Sequence, residues 1–301
     1  MILVRLMGGL GNQMFQYATA HSVSLRNNTV VKIDTSLLEA NLLEDDKVVT
    51  HRNLDLDIFD LKITKATPQE IIYFNGKKYD NLLGKLYNRL IFFSRKKNLI
   101  IEKDRSFQSL VLSLPDNICL VGGWQSPKYF EGYEQEIKNL FAFKKPLLDV
   151  SKIIFEEIRN ANSICIHVRR GDYVTSPKYN KSLGAKSAEY YNHAITIFES
   201  KIENPKFFIF SDDLNWCKQH LNSKSPFTFV EEIHAGEKNG NYLQLMTHCK
   251  NFIISNSTYS WWGAWLSKNE SKLVVAPKTW ALDPASVPAD ILPENWIKID
   301  L

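Results

Sequence analysis

The stretch SICIHVRRGDYVT, Ser163–Thr175, decides how the second half of the chain folds. Its first half is apolar at alternate β-branched positions, which predicts a buried strand over 163–168. Arg169, Arg170 and Asp172 follow where that strand would end. Ligands of open α/β sheets bind at the carboxyl ends of strands, and paired guanidinium groups suit phosphate oxygens. The stretch therefore predicts a site for a phosphate-bearing ligand. The alternative is a structural Arg/Asp ion pair that closes a loop.

Strand and helix patterns alternate on both sides of this stretch, from about residue 148 to the end of the chain. We expect strands at 163–168, 206–210, 227–230, 252–254 and 272–275, and helices at 187–201, from about 214, at 240–248 and at 258–267. Such a rhythm predicts a parallel sheet covered by helices. A Lys-Lys-Pro break at 144–146 suggests two domains, 1–147 and 148–301, with a cleft between them.

The N-terminus reads as a strand, a glycine-rich turn and a helix, in the sequence MILVRLMGGLGNQMFQYATA. Glycines let a backbone approach a ligand, and a helix N-terminus offers unpaired N–H groups to anions. The dinucleotide fingerprint requires a third glycine or alanine, and this chain has Met14 there. Asp34 does lie near the position of a ribose-binding acid. The missing glycine disfavours hydride transfer.

Two more strand ends carry polar groups. FIFSDD places Asp212 and Asp213 after one predicted strand, and SNST places small polar residues between another strand and an aromatic helix. Small polar residues at a helix start cap the helix, and the same exposed N–H groups can hold a diphosphate. Four in succession favour an anion site over capping alone. The tryptophans that follow lie at helical spacing, which predicts core packing.

Two other motifs each leave two interpretations open. LDLDIFDL, 54–61, contains the Asp55/Asp57 triplet by which metal-dependent glycosyltransferases hold a cation, but its alternation equally fits a half-exposed strand. GGWQSPKYF, 122–130, offers either an aromatic platform for a sugar ring, with Trp124, Gln125 and Tyr129, or packing at a domain edge.

Four motifs, GGLGNQMFQYATA, HVRRGDYV, FIFSDD and SNSTYSWWGAWL, together resemble the bacterial and animal α-1,2-fucosyltransferases that use GDP-fucose. The resemblance runs essentially end to end. It implies an α/β, GT-B-like fold of two facing Rossmann-like domains with parallel sheets. It also implies an inverting glycosyltransferase that needs no metal or other cofactor, with the donor held by residues 148–301 and the acceptor on the side of 1–147.

Site residues follow from the same resemblance, position by position. Arg169 matches the arginine that contacts the β-phosphate and is expected to stabilise the charge that develops on the leaving diphosphate. Asp172 is a brace for Arg169 or a general base, since no glutamate follows the motif here. The resemblance assigns substrate binding to Gly9, Gly11, Asn12, Gln13, His167, Arg169, Arg170, Ser255, Asn256, Ser257 and Thr258. Tyr242 stands where relatives commonly have an acid.

Composition limits the partners and the compartment. The formal net charge of +4 over 301 residues makes no general case for nucleic-acid binding. A basic amphipathic helix is predicted within 77–103, as a core helix with a solvated face or as a peripheral contact with an anionic membrane or a lipid-linked substrate. Four scattered cysteines predict buried, reduced thiols, and no signal peptide or membrane span is predicted, so we expect a cytoplasmic protein.

The resemblance thus implies a galactoside α-1,2-fucosyltransferase that moves L-fucose from GDP-fucose to the 2-hydroxyl of a terminal galactose on a glycan. Two alternatives stay open: a GDP-sugar transferase of other acceptor linkage, and a non-catalytic module that binds a glycan or a nucleotide sugar. The acceptor pocket is expected in variable loops of the first half, such as 36–53 and 64–80.

Overall fold

The computed structural model describes residues 1–39, 53–75, 98–283 and 288–300. The chain forms two compact units, Met1–Ala142 with Ala289–Ile291, and Phe143–Pro288 with Leu292–Leu301. Within these described ranges, each unit has a parallel sheet with helices. The predicted α/β fold with two Rossmann-like parallel sheets is confirmed. The predicted basic helix of 77–103 lies almost entirely outside the described residues.

The first unit contains a four-stranded parallel sheet in the order β2-β1-β4-β3. The central strand β1 pairs with both neighbours, Ile2 lying opposite Val31 on one side and Ile118 on the other. The strands are β1 (Ile2–Arg5), β2 (Val31–Asp34), β3 (Leu99–Ile101) and β4 (Ile118–Val121). The helices are α1 (Leu10–Arg26), α2 (Ser36–Glu39), α3 (Pro68–Asn75) and α4 (Glu134–Leu140).

The core of the first unit explains its sequence pattern. Ile2, Leu3 and Val4 of β1 are all fully buried, which is why the strand is a continuous apolar run and not an alternating one. Helix α1 buries Met14 and Phe15, and each such side chain removed from water contributes about 1.5–3 kcal/mol. Because β1 and α1 are both anchored in this core, the loop that connects them is held at both ends.

The second unit contains a six-stranded parallel sheet in the order β10-β9-β8-β5-β6-β7. Its strands are β5 (Asn162–Val168), β6 (Pro205–Ser211), β7 (Phe227–Phe229), β8 (Asn251–Ile253), β9 (Val274–Pro277) and β10 (Ile297–Ile299). Its helices are α5 (Lys152–Asn160), α6 (Gly171–Thr175), α7 (Pro177–Ser182), α8 (Ala188–Lys201), α9 (Leu214–His220), α10 (Gly240–Thr247) and α11 (Thr258–Leu266).

Helix α8 and strands β5 and β6 form one hydrophobic core of this unit. Tyr190, Tyr191 and Phe198 of α8 are fully buried against Ile164 and Ile209 of the sheet. On α11, Trp261 and Trp262 are fully buried with ring centroids 4.9 Å apart, so the prediction that these tryptophans form core packing is confirmed. The four cysteines are free and buried, which confirms the prediction made for them.

Three local predictions were wrong or incomplete. Residues 54–61 do not form the half-exposed strand: Leu56–Ile58 is a 3₁₀ turn, because Leu56 and Phe59, three residues apart, are the buried pair. The short helices α6 and α7, which follow β5, were not predicted, and neither was β10. All three are too short to show a hydrophobic period. No helix in the described ranges is long and apolar enough to cross a bilayer.

Candidate functional site

The second sheet contains a break in strand order beside β5. The chain passes from β5 to β6 and β7 on one side, and then returns to β8 on the other. Ligands bind outside the carboxyl ends of strands at such a topological switch point. The register sets Val168 opposite Ser211 and Ile166 opposite Ile253, so the residues after all three strands meet at one edge.

Arg169 is held at this edge by two carboxylates. Its Nη2 donates to Oδ1 of Asp172 over 2.6 Å, and its Nη1 donates to Oδ2 of Asp212 over 2.7 Å. The guanidinium also lies 5.7 Å from the ring centre of Tyr173. The Arg169 side chain is 30 % exposed to solvent, so the guanidinium is fixed in direction and still accessible to a ligand. A guanidinium held in this way is preorganised for an anion.

Asp212 also fixes the backbone beside Arg169. Its Oδ1 accepts a hydrogen bond from the backbone N–H of Arg170 over 2.8 Å. A Cβ added to Gly171 would lie 2.7 Å from Oδ2 of the same carboxylate, closer than real Cβ atoms come. The glycine in RRGD therefore leaves room for the close approach of the Asp212 carboxylate. The sequence indicates the FIFSDD motif but gives no sign of this role of its first aspartate.

Arg170 is directed to a different carboxylate. Its Nε donates to Oδ2 of Asp213 over 3.2 Å, and its guanidinium carbon lies 4.1 Å from the centre of the Trp216 ring. Asp213 also caps α9, accepting from the backbone N–H of Trp216 over 3.0 Å. Sequence reasoning missed both partners, since Trp216 lies 46 positions from Arg170 and only the β5–β6 pairing brings them together.

His167 lies behind the two arginines, with 7 % of its surface exposed. Its Nδ1 is 3.0 Å from Oγ of Ser255. Burial, with a smaller contribution from the Arg169 charge, lowers the pKa of His167 to about 3. The imidazole is therefore neutral at neutral pH and is a weak proton acceptor. Its contact with Ser255 joins β5 to the segment after β8, and its role in substrate binding stays a prediction.

The segment 255–258 connects β8 to α11, and most of it is buried. Nδ2 of Asn256 lies within hydrogen-bond reach of three backbone carbonyls, those of Leu183, Gly184 and Trp280, at 3.0–3.1 Å. The hydroxyl of Tyr173 donates to the Asn256 carbonyl over 3.2 Å. Ser257 makes no side-chain capping bond. The side chains of Ser255 and Asn256 thus hold loops together, and the N-terminus of α11 is the part of this segment suited to an anion.

The first unit positions the other predicted site residues by itself. Gly9 precedes α1, and its carbonyl accepts from the backbone N–H groups of Asn12 and Gln13. Gln13 is fully buried: its Nε2 donates to the carbonyls of Gly8 and Asn53, and its Oε1 accepts from the backbone of Asp55. Gly11 is also buried. Gln13 therefore binds one loop to another, and its role toward a ligand stays a prediction.

The first sheet has a break in strand order of the same kind, between β1 and β4. The glycine turn follows β4 at this break. The side chain of Gln125 donates to Oδ1 of Asn12 over 2.9 Å. Glu102 accepts from the backbone N–H groups of Gly123 and Trp124, and burial raises its pKa. Trp124 is fully buried against Tyr129, at 5.7 Å between ring centres. The packing interpretation of this turn is right, and the sugar-platform interpretation is wrong for Trp124.

Two other acidic positions noted in the sequence are Asp34 and the Asp55/Asp57 triplet. Asp34 accepts from Nε of Arg5 over 2.7 Å and from the backbone of Ser36, so it forms a buried ion pair at the end of β2. Asp55 precedes the 3₁₀ turn that contains Asp57. Within the described ranges, no group of three or more His, Cys, Asp or Glu side chains is arranged to hold a metal ion.

The second unit therefore joins His167, Arg169, Arg170, Asp172 and Ser255 around one strand end, and adds Asp212 and Asp213. Gly9, Gly11, Asn12 and Gln13 form a second group in the first unit. Whether these residues bind substrate stays a prediction. The interpretation as a simple Arg/Asp ion pair explains the hydrogen bonds, but it leaves unexplained why the pair lies at the switch point.

Two curated proteins of similar sequence match nearly the whole chain, and a third matches part of it. An α-1,2-colitosyltransferase of Escherichia coli is 29 % identical over 99 % of both chains. The O-antigen biosynthesis glycosyltransferase WbnK of Escherichia coli is 32 % identical over 91 % of this chain and 93 % of its own. A galactoside 2-α-L-fucosyltransferase of Caenorhabditis elegans is 26 % identical over 59 % of this chain and 51 % of its own.

A solved structure shows the same fold, and the family assignment rests on sequence. An Arabidopsis thaliana FUT1 variant in complex with GDP matches with a TM-score of 0.51 and 11 % identity, over 91 % of this chain and 69 % of that chain. Residues 109–300, which contain every charged group described above at the end of β5 and β6, match the sequence profile of glycosyl transferase family 11. The chain therefore belongs to glycosyl transferase family 11, and it is a glycosyltransferase.

Proposed function

We propose that the protein transfers L-fucose from GDP-fucose to the 2-hydroxyl of a terminal galactose on a glycan, with inversion at the anomeric carbon and without an essential metal. The observation that carries the proposal is Arg169, held by Asp172 and Asp212 at the switch point of the second sheet. A fixed guanidinium at this place suits a sugar donor that leaves as a diphosphate.

The relatives support the parts of the proposal that geometry alone leaves open. Two of them carry names that specify α-1,2 or galactoside 2-α transfer, and one of these transfers fucose. The solved structure of similar fold contains GDP. The four motifs that resemble GDP-fucose-dependent enzymes are all present, and each lies on a loop or helix start described above.

The proposed chemistry assigns a task to the fixed groups. The bond between the anomeric carbon and the GDP oxygen breaks, and its electron pair goes to the diphosphate. The acceptor oxygen forms its bond on the opposite face, and its proton passes to a base or to solvent. The attraction between Arg169 and the diphosphate increases as negative charge develops on the diphosphate. Arg169 therefore stabilises the transition state more than it stabilises the bound donor. Asp172 serves here as the brace of Arg169, and its part as a base stays a prediction.

A donor and acceptor panel tests the proposal directly. Purified protein is incubated with GDP-fucose and with lactose or a Gal-β-1,3-HexNAc acceptor, and products are identified by mass spectrometry and by the linkage in NMR spectra. We expect an α-1,2-linked fucosyl product. The absence of fucosylated product from every galactoside would contradict the proposal. Nucleotide titration separates the alternatives, because a module that binds only glycans has no preference for GDP over UDP.

The metal requirement is tested in the same assay with EDTA. We expect the rate to be unchanged, since Arg169 and the N-terminus of α11 supply the positive charge that a cation would otherwise supply. A loss of activity that Mg²⁺ or Mn²⁺ restores would contradict the metal-independent mechanism and would favour the Asp55/Asp57 triplet as a cation ligand.

A second candidate activity is the transfer of colitose, which the E. coli relative named for that sugar favours, since it matches the chain almost end to end. Colitose and fucose differ by one hydroxyl group, at carbon 3. A site that hydrogen-bonds this hydroxyl discriminates strongly against the sugar that lacks it, whereas an apolar site discriminates weakly. Comparison of kcat/KM for GDP-fucose and GDP-colitose on one acceptor decides between the two donors.

The place of action is a further part of the proposal. We place the enzyme in the cytoplasm, on glycan precursors that include lipid-linked ones, with at most peripheral membrane contact through the basic residues of 77–103. Co-sedimentation with liposomes tests this contact. Binding that is equal for anionic and neutral lipid would contradict it.

A further inference from the structure

The two neighbouring arginines of the site are held in different ways. Both terminal nitrogens of Arg169 donate to carboxylates, one to Asp172 and one to Asp212. Arg170 instead donates its inner nitrogen, Nε, to Asp213. Among the described residues, none accepts a hydrogen bond from Nη1 or Nη2 of Arg170. The edge of a guanidinium that recognises phosphate or carboxylate in a bidentate manner is therefore available on Arg170.

The indole ring of Trp216 packs against the guanidinium group of Arg170. The guanidinium carbon lies 4.1 Å from the indole centre, well within the distance at which a cation is attracted to an aromatic face. The face of a guanidinium makes no hydrogen bonds, so a contact of this face with the ring holds the group without using its N–H groups. Among the described residues Arg170 has one ion-pair partner, Asp213, and the contact with Trp216 helps to keep its direction.

The indole is itself fixed. Asp213 accepts from the Trp216 backbone N–H over 3.0 Å with one oxygen and from Arg170 with the other. The imidazole of His220 stacks on the indole at 4.8 Å and 14°, and the buried ring of Tyr191 meets it edge-on at 6.2 Å. One carboxylate and one ring thus set the position of Arg170, and both belong to the start of α9.

We propose that Trp216 is a positioning residue: by stacking under Arg170 it directs the terminal nitrogens of that arginine to the diphosphate of the donor. This inference rests on the proposed function, which supplies the diphosphate. It assigns Arg170 a direct contact with the donor, whereas Trp216 acts only through Arg170. A role in packing alone would make no link between the two side chains in ligand binding.

A double-mutant cycle on GDP affinity tests the role of Trp216. The Kd of GDP is measured by calorimetry for the parent, Trp216→Leu, Arg170→Ala and the double variant. Loss of a cation–π contact predicts a Kd raised about three- to thirtyfold in Trp216→Leu. In the Arg170→Ala background, the same tryptophan substitution should leave the Kd unchanged, because the group that it positions is gone.

Matched variants separate positioning from packing. Trp216→Phe keeps an aromatic face and should restore most of the affinity. Phe155→Leu removes another ring that faces an arginine, at 5.5 Å from Arg159 on α5, and should bind GDP as the parent does. If Trp216→Leu lowers the unfolding midpoint, Arg170→Lys gives a second reading on an intact indole: it keeps the charge but loses the planar stack, and should lose a similar affinity.

The outcomes distinguish the two proposals. If the parent binds GDP but Trp216→Leu and Arg170→Ala weaken binding additively, or Trp216→Leu binds as the parent does, the positioning role is overturned while the proposed function stands. If the parent binds no GDP, or binds UDP equally well, the proposed function fails and the positioning role fails with it.

Discussion

At the break in strand order of the first sheet, between β1 and β4, the loop side chains that meet are neutral amides, with Gln125 donating to Asn12, and Arg5 at the end of β1 is paired with the buried Asp34. At the equivalent break of the second sheet, between β5 and β8, the residues that follow the strands are charged, and Arg169 and Arg170 are each held by a carboxylate. Both sheets thus place a glycine-containing loop at the same topological position. The chemistry of the side chains distinguishes them.

The comparison indicates that the two sheet edges have different roles. Charges that are fixed by partners and still exposed are suited to a ligand with phosphate groups, and such charges are found in the second unit. In the first unit the buried amide of Gln13 and the carboxyl of Glu102 bind backbone groups of loops. Changes at the second edge should therefore affect turnover, whereas changes at the first should affect stability.

The largest effect is expected for Arg169→Ala. Removing a preorganised donor to developing negative charge costs about 3–4 kcal/mol of transition-state stabilisation, so kcat should fall about 10²- to 10³-fold. Initial rates with GDP-fucose measure it, and an unchanged unfolding midpoint shows that the fold is intact. Arg159→Ala, which removes an exposed guanidinium from α5 before the start of β5, is the matched control and should leave kcat unchanged. Near-normal turnover in Arg169→Ala would remove the distinction between the two edges.

His167 gives the second edge a pH-dependent stability. Because its pKa is about 3 in the folded protein and near 6.5 when unfolded, the unfolded chain takes up a proton first as the pH falls below 6.5. The free energy of unfolding should then decrease by up to about 1.4 kcal/mol per pH unit down to about pH 3. Above pH 6.5 the histidine should contribute no pH dependence.

The variant His167→Gln isolates this effect, because an amide keeps a hydrogen bond to Ser255 but does not titrate. Between pH 7.5 and pH 5, the free energy of unfolding of the parent should fall by about 2 kcal/mol relative to that of His167→Gln, as measured by urea unfolding. Taking the difference removes the contribution of the other histidines. A difference that stays constant over this range would show that His167 titrates normally.

Gly8→Ala should affect stability in the first unit. Gly8 has φ +76°, and an added Cβ would lie 2.5 Å from Nδ2 of Asn12. Gly132 has φ +82° with nothing within 4 Å of an added Cβ, so Gly132→Ala is the control for backbone strain alone. We expect Gly8→Ala to cost about 1–2 kcal/mol more than the control in urea unfolding, because the clash adds to strain. Equal losses would show that Asn12 moves away freely.

The smallest effect is expected for the Asn12–Gln125 pair. A neutral hydrogen bond between side chains contributes about 0.5–1.5 kcal/mol, so the single alanine variants should each lose about this much. The double variant should lose no more than either single one. Urea unfolding of all four proteins measures the coupling. A loss of turnover much larger than the loss of stability would show that the first edge also contacts substrate.

Local sequence patterns predicted the elements that carry the site, and their limits are physical. β5 is recognisable because β-branched residues recur at alternate positions before the charged cluster, and α11 because its tryptophans recur at helical spacing. The alternation of apolar and acidic residues over 54–61 suggests a half-exposed strand, whereas Leu56–Ile58 forms a 3₁₀ turn in which Leu56 and the following Phe59 are the buried residues. Helices of five or six residues, such as α6 and α7, contain too few turns to show a period.

The sequence by itself determined the two α/β units, the arginines at the end of β5 and the resemblance to a glycosyltransferase family, since each depends on residues close together in the chain. Asp172, three residues from Arg169, is a brace that the sequence predicts. Only the tertiary structure decided that Asp212 and Asp213 hold Arg169 and Arg170, that Gly171 makes room for Asp212, and that Trp216 lies against Arg170. These contacts join residues about 40 positions apart. They depend on strand order and register, which arise from the packing of the whole sheet and leave no local pattern in the sequence.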